Sequence, residues 1–194
     1  MLNHIRPAVV MIALFTGVLG VAYPFAVTGV AQTVFSAQAD GSLVRDKAGK
    51  VVGSALIGQT FAEPVYLHPR PSAAGDGYDA SSSSGANLGP LNPDLIARVK
   101  TDADALRAET GTAVIPADAV TTSASGLDPH ISPAYAELQV ARIASARGVG
   151  EAQVREVIEQ HVEGRTFGVL GQPRVNVLLT NMALDARFPR PAEG

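Results

Sequence analysis

Ser125, Asp128 and His130 place a hydroxyl, a carboxylate and an imidazole within six residues. Those are the side chains of a nucleophile, an orienting acid and a general base. A working triad needs serine hydrogen-bonded to histidine and histidine held by the acid. One turn containing Pro129 is a poor frame for that chain of contacts, and no G-x-S-x-G elbow accompanies it. The stretch therefore reads as a tight turn whose side chains cap backbone groups, and no catalytic residue is assigned.

The remaining chemistry-bearing residues are sparse. His4, His68, His130 and His161 are scattered without an H-x-x-x-H pair, and the chain has no cysteine. Neither fact supports a metal centre, and the second removes disulfides and thiolate chemistry. His161 falls on the apolar face of a helix, where a satisfied core histidine is expected. Gly168-Val169-Leu170-Gly171-Gln172 is glycine-rich but matches neither phosphate-binding pattern, G-x-x-x-x-G-K-[ST] or G-x-G-x-x-G. Its last three residues loosely echo the signature loop by which ABC transporters touch nucleotide. A turn into the final apolar segment is the plainer reading.

The elements that must position these residues are recognisable by period and cap. Val51 to Ile57 reads as a strand and Val65 to Leu67 as a weaker one. From Pro69 to Pro93 proline, glycine and the serine run Ser81 to Ser84 dominate. That composition predicts a long loop, and loops of such length mark contact or disordered segments. Asn92-Pro93 caps a helix carrying Leu95, Val99, Ala103 and Leu106 on one face and ending at Gly111. Val114-Ile115 and Val120 to Thr122 are short strand candidates around Pro116. Ser132-Pro133 starts a second helix, with Ala136, Val140, Ile143 and Ala144 buried and Gly148 at its end. A third runs from about Glu151 to Glu163. Val175 to Leu184 fits either a strand or a helix. The sum is one α/β (α+β) domain.

That domain hangs from an apolar, uncharged run, Pro7 to Ala39. A hydrocarbon core about 30 Å thick needs roughly 20 helical residues, so the run crosses a bilayer. Arg6, His4 and the amino terminus precede it, with no acid among them, which places the N-terminus in the cytoplasm. The layout is then residues 1–6 cytoplasmic, 7–35 transmembrane and 36–194 extracytoplasmic, periplasmic in a bacterium with an inner membrane. Ala37-Gln38-Ala39 also fits a signal-peptidase site, which would release a periplasmic binding module. A signal core spans about 7–15 residues, so the longer run favours a retained anchor.

Net charge of −3 argues against a nucleic-acid face, and 5% aromatics without tryptophan against a stacking platform.

Five stretches resemble the KdpC family, the single-span subunit of the bacterial Kdp potassium-transporting ATPase. They are Gly53 to Ala73, NLGPLNP (Asn87 to Pro93), VTTSASGLDPHISP (Val120 to Pro133), Gln139 to Gly148 and GQPRVNVLLTNMALD (Gly171 to Asp185). They follow the family's order across nearly all of the outer domain. Pro69 stands where the family often has glycine, Ser84-Gly85-Ala86 replaces a more usual Ser-Gly-Gly-Ser, and Gln172 replaces a frequent acid. The resemblance implies three partners: a channel-like potassium-binding subunit, a P-type ATPase subunit and a very small membrane peptide. This chain lacks D-K-T-G-T, so no aspartyl phosphate of its own is expected, and the resemblance implies an accessory subunit that is not itself the enzyme. Asn87, Leu88, Gly89, Pro90, Asp128, Pro129 and His130 become candidate partner contacts. The family is also described as a catalytic chaperone raising ATP affinity, with Gln172 and Gly171 as the nucleotide contact. No cofactor is bound tightly, and ATP would enter through the complex.

Overall fold

The apolar run folds as a helix with a widened middle in the computed structural model, which describes residues 2–189. α1 (Leu2–Phe15) passes through a π-helical stretch, Thr16–Ala22, into α2 (Tyr23–Val34). Pro24 has no N–H to give and its ring crowds the carbonyl four residues back. The ladder shifts ahead of it, and the Tyr23 amide donates to Val18 five residues back. His4–Val34 gives 31 residues at mean hydropathy 2.1 with none of its apolar window buried. At 1.5 Å per residue that is about 46 Å, ample to span a bilayer with tilt. The Thr33 hydroxyl returns to the Gly29 carbonyl at 2.9 Å, so this polar group makes its bond within the helix.

α3 (Ser36–Ala39) follows, then a hairpin of β1 (Leu43–Arg45) and β2 (Val51–Ser54). Leu43 pairs with Ser54 and Val44 with Gly53, with a bulge before Arg45. The backbone divides into two compact units, Met1–Ser54 and Ala55–Gly194. The expected strand 51–57 is thus shorter than its apolar content suggests. Beyond Ser54 the chain turns, the Ala55 carbonyl accepting from Asn176 Nδ2.

In the second unit Asn92 caps α4 (Pro93–Thr110) by accepting from the Asp94 amide, and Gly111 closes it at φ +69°. The expected strand at Val65 to Leu67 does not form. Its backbone is instead held by side chains. Asn181 accepts from the Leu67 amide and donates to its carbonyl at 2.8 and 3.0 Å, and Gln139 does the same for His68 at 2.7 and 3.1 Å. A carboxamide offers one acceptor and two donors, so it stands in for a neighbouring strand. Val114-Ile115 and Val120 to Thr122 are not strands either. Pro116 leads into a 3-10 turn, Ala117–Ala119, and Asp118 then accepts from the Ser132 amide and hydroxyl.

β3 (His130–Ile131) precedes α5 (Pro133–Leu138), capped by Ser132. The expected single helix breaks at Gln139, and α6 (Val140–Arg147) continues to Gly148 at φ +65°. α7 (Glu151–Gln160) stops short of Glu163 because the next residues form β4 (Val162–Glu163). The ambiguous segment is both things in turn. β5 (Arg174–Asn176) takes its start, and Asn176 caps α8 (Val177–Arg187). The sheet order is β3-β5-β4, all antiparallel, with His130 opposite Asn176 and Glu163 opposite Arg174. Leu67, Ile143, Val154, Val175 and Leu184 are the fully buried centre between sheet and helices.

Candidate functional site

The Ser125, Asp128 and His130 side chains form a structural joint and not a triad. Ser125 Oγ accepts from the Leu127 amide at 3.1 Å and lies 3.4 Å from Ser123 Oγ. Asp128 Oδ1 accepts from the His130 amide at 3.0 Å, an Asx turn across Pro129, and Oδ2 accepts from Arg70 Nη1 at 2.8 Å. The His130 ring sits between two acids: Nδ1 is 3.6 Å from Asp128 and Nε2 is 3.9 Å from Glu163. Glu163 is in turn paired with Arg174 at 2.8 Å. Polar contacts therefore run along Arg70, Asp128, His130, Glu163 and Arg174, stitching the long loop to the sheet. The Pro129 carbonyl adds a bond from the Val177 amide.

The proline- and serine-rich loop is wrapped onto this joint. Ser72 Oγ donates to the Gly126 carbonyl at 2.7 Å and accepts from the Ala74 and Tyr78 amides. The Ser84 amide donates to the Ser125 carbonyl at 3.0 Å. Asn87 to Pro90 stand exposed beyond these anchors, with Asn87 at φ +51°. The fold thus gathers Asp128, Pro129 and His130 into the charged joint and leaves Asn87 to Pro90 as an exposed crest.

Gly171 and Gln172 belong to another feature, a hairpin between β4 and β5. Thr166 and Leu170 pair across its tip. Phe167 and Gly168 turn there at φ +54° and +75°. A left-handed backbone at a non-glycine residue costs roughly 1–2 kcal/mol. Phe167 is also 90% exposed, Val169 71% and Leu170 59%. Gln172 Oε1 accepts from Arg165 Nη2 at 3.0 Å, so the amide braces the hairpin's two legs. His161 ends α7 half-buried, its Nδ1 donating to the Val157 carbonyl at 2.8 Å. It is satisfied as expected, but at a helix end and not within a core face.

The K+-transporting ATPase c chain family model, KdpC, matches residues 5–186, from within α1 to within α8. The chain belongs to the KdpC family. A relative from Caulobacter sp. (strain K31), named potassium-transporting ATPase KdpC subunit, is 67% identical over 97% of this chain and 96% of its own. Relatives of the same name from Beijerinckia indica and Koribacter versatilis are 59% and 50% identical, covering 97% and 98% of this chain.

Within this KdpC fold a cleft of about 430 Å³ opens beside the joint, lined by Phe61, His68, Arg70, Tyr78, Leu106 and Tyr135. Its polar groups are largely engaged. The Tyr78 hydroxyl donates to the Arg70 carbonyl at 2.7 Å, and burial pushes its pKa up. Burial likewise lifts Tyr135 to about 12. Burial, then the Arg142 charge, push His68 below its ordinary value. Among the described residues no group of three His, Asp or Glu side chains is arranged to hold a metal ion. Arg70, Phe167 and the Glu163–Arg174 pair had no local signature in the sequence. Arg70 meets Asp128 58 positions away, a separation no spacing rule reads.

Asp128 gives this joint a pH dependence. Burial alone would raise its carboxyl, but hydrogen bonds from His130 and Arg70, with the Arg70 charge, hold it below the usual value. A depressed folded-state pKa contributes stability that is full above the unfolded value of about 3.9 and lost as pH falls through the folded one. Asp128→Asn is expected to cost about 2 kcal/mol near neutral pH. The melting curves of the two chains should converge as the pH drops below the folded pKa. A gap that stays constant into strong acid would show that the ion pair adds nothing.

Proposed function

We propose that this chain is a non-catalytic accessory subunit of an ATP-driven, high-affinity potassium uptake complex in the bacterial inner membrane. The full-length likeness to chains named potassium-transporting ATPase KdpC subunit carries the reading. The local chemistry is consistent with it, because Ser125, Asp128 and His130 are engaged in a joint. The helix His4–Val34 anchors the chain, Arg6 keeps its N-terminus cytoplasmic, and the second unit is periplasmic. There it stabilises the assembly of the channel-like and P-type subunits and their small membrane peptide, through the Asn87 to Pro90 crest and the Asp128–His130 turn.

An influence on ATP affinity then has to be allosteric. In this topology Gln172 and the ATP-binding domain lie on opposite sides of the bilayer. A subunit that binds one state of the pump better than another shifts that equilibrium and every affinity linked to it. Removing the subunit is expected to weaken ATP binding by the complex about tenfold, whereas Gln172→Ala changes it less than about twofold. A tenfold loss from Gln172→Ala alone would support direct nucleotide contact instead.

The membership test is simpler. A C-terminally tagged chain is extracted in mild detergent, its intact mass is measured and its companions are identified. An uncleaved chain with a P-type subunit and a channel-like subunit is expected. A soluble chain starting near Asp40 with no companions would replace the proposal with a released periplasmic binding module.

A further inference from the structure

The tip of the hairpin between β4 and β5 combines two unfavourable features. Phe167 sits at φ +54°, where a type I′ turn ordinarily takes asparagine or glycine, and its ring is 90% exposed. Val169 and Leu170 flank it, 71% and 59% exposed. A strained turn that lifts an aromatic ring into solvent calls for something outside the domain to cover the ring.

We propose that Phe167, Val169 and Leu170 insert into the interfacial region of the lipid bilayer that holds the chain, as a second membrane contact beyond the helix. The charge pattern fits. From Gly164 to Pro173 there is no acidic residue, and the single charge is the exposed Arg165. Its guanidinium suits lipid phosphates while apolar neighbours enter the acyl boundary. Glu163, just outside that stretch, is neutralised by Arg174 at 2.8 Å.

The tether fits as well. Only the residues between Val34 and Ala55 separate the helix from the second unit, which limits their separation to about 70 Å of extended chain. The bilayer is therefore an apolar partner always within reach, at a high effective concentration. Area separates this occupant from a second copy or another protein. Three side chains at a narrow turn fall below the roughly 800 Å² per partner of a standing protein interface. A tethered domain needs only a foothold.

The chain has no tryptophan, so Phe167→Trp supplies a sole fluorescent reporter in the full-length protein. It is placed, without partner subunits, in vesicles of phosphatidylethanolamine and phosphatidylglycerol. The expected emission is blue-shifted and quenched about twofold by lipids brominated near the headgroup. Val169→Trp should behave alike, which guards against a turn altered at Phe167. Val114→Trp, on an exposed loop elsewhere, should stay unquenched, and Arg165→Glu should reduce the quenching of the Phe167→Trp reporter. Water-like, unquenched emission from both tip reporters would overturn the proposal. So would shielding that arises only in the purified pump complex and is insensitive to brominated lipid, which would make the occupant a protein. The vesicle result does not depend on the pump assignment.

Discussion

Arg147→Met is expected to destabilise the second unit by about 3–5 kcal/mol, because it strips a buried network of its cation. The Arg147 side chain is wholly buried. Nε donates to the Val65 carbonyl at 2.7 Å, Nη1 to the Phe188 carbonyl at 2.7 Å and Nη2 to Asp185 at 2.9 Å. The guanidinium also lies 5.4 Å from the Tyr66 ring centroid, and the Tyr66 hydroxyl donates to the other Asp185 oxygen at 3.0 Å. One planar cation thus ties the Val65-Tyr66 segment to the end of α8. Methionine fills the volume but returns no donor, so two carbonyls and a half-buried carboxylate lose theirs. Arg187→Met removes an ion pair of similar length, 2.7 Å to Glu156, but both partners are about half exposed. Water replaces such contacts, and the loss should stay below about 1 kcal/mol. Urea unfolding of the detergent-solubilised full chain measures both. Equal losses would mean that burial of Arg147 does not set its contribution.

That contrast marks where the sequence was readable. The helices α4, α6 and α7 follow from apolar spacing and from caps at Asn92, Gly111 and Gly148, because those signals are local. The membrane helix follows from length and hydropathy alone. Strand expectations fared worse, for a definite reason. Val65 to Leu67 has the composition of a strand, yet its partners are Asn181, Arg142 and Arg147, all on helices far along the chain. A polar residue on an apolar helix face was the available signal, but nothing nearby names its partner. The segment from Val175 onward stayed undecided because strand and helix share it, with Asn176 both ending β5 and capping α8. At the candidate site the Asp128 turn was legible as a capping turn, whereas Arg70, Glu163 and Arg174 come to it only through the fold.

The other large effect is expected at Gly126. This residue holds φ +67°, and a Cβ there would lie 2.6 Å from the Ser84 carbonyl oxygen and 2.7 Å from the Ala74 nitrogen. Both neighbours are backbone, so neither can swing aside as a side-chain end would. Alanine must accept left-handed strain and also push the loop outward, at about 3 kcal/mol in total. The consequence should be local in form. The bonds from Ser72 to the Gly126 carbonyl and from Ser84 to Ser125 hold the loop down, and they are the ones displaced. Gly126→Ala should therefore speed limited proteolysis at Ser81 to Ser84. Under the proposed contact through Asn87 to Pro90, recovery of the pump subunits with the tagged chain should fall as well. Gly89→Ala, where a Cβ meets nothing within 4 Å, is the folding control and should melt within about 0.5 kcal/mol of the parent. If Gly126→Ala unfolds like the parent, the loop is not held by this close approach. If it loosens the loop yet recovers the pump undiminished, the crest is not the contact, and the Asp128–His130 turn becomes the surface to alter next.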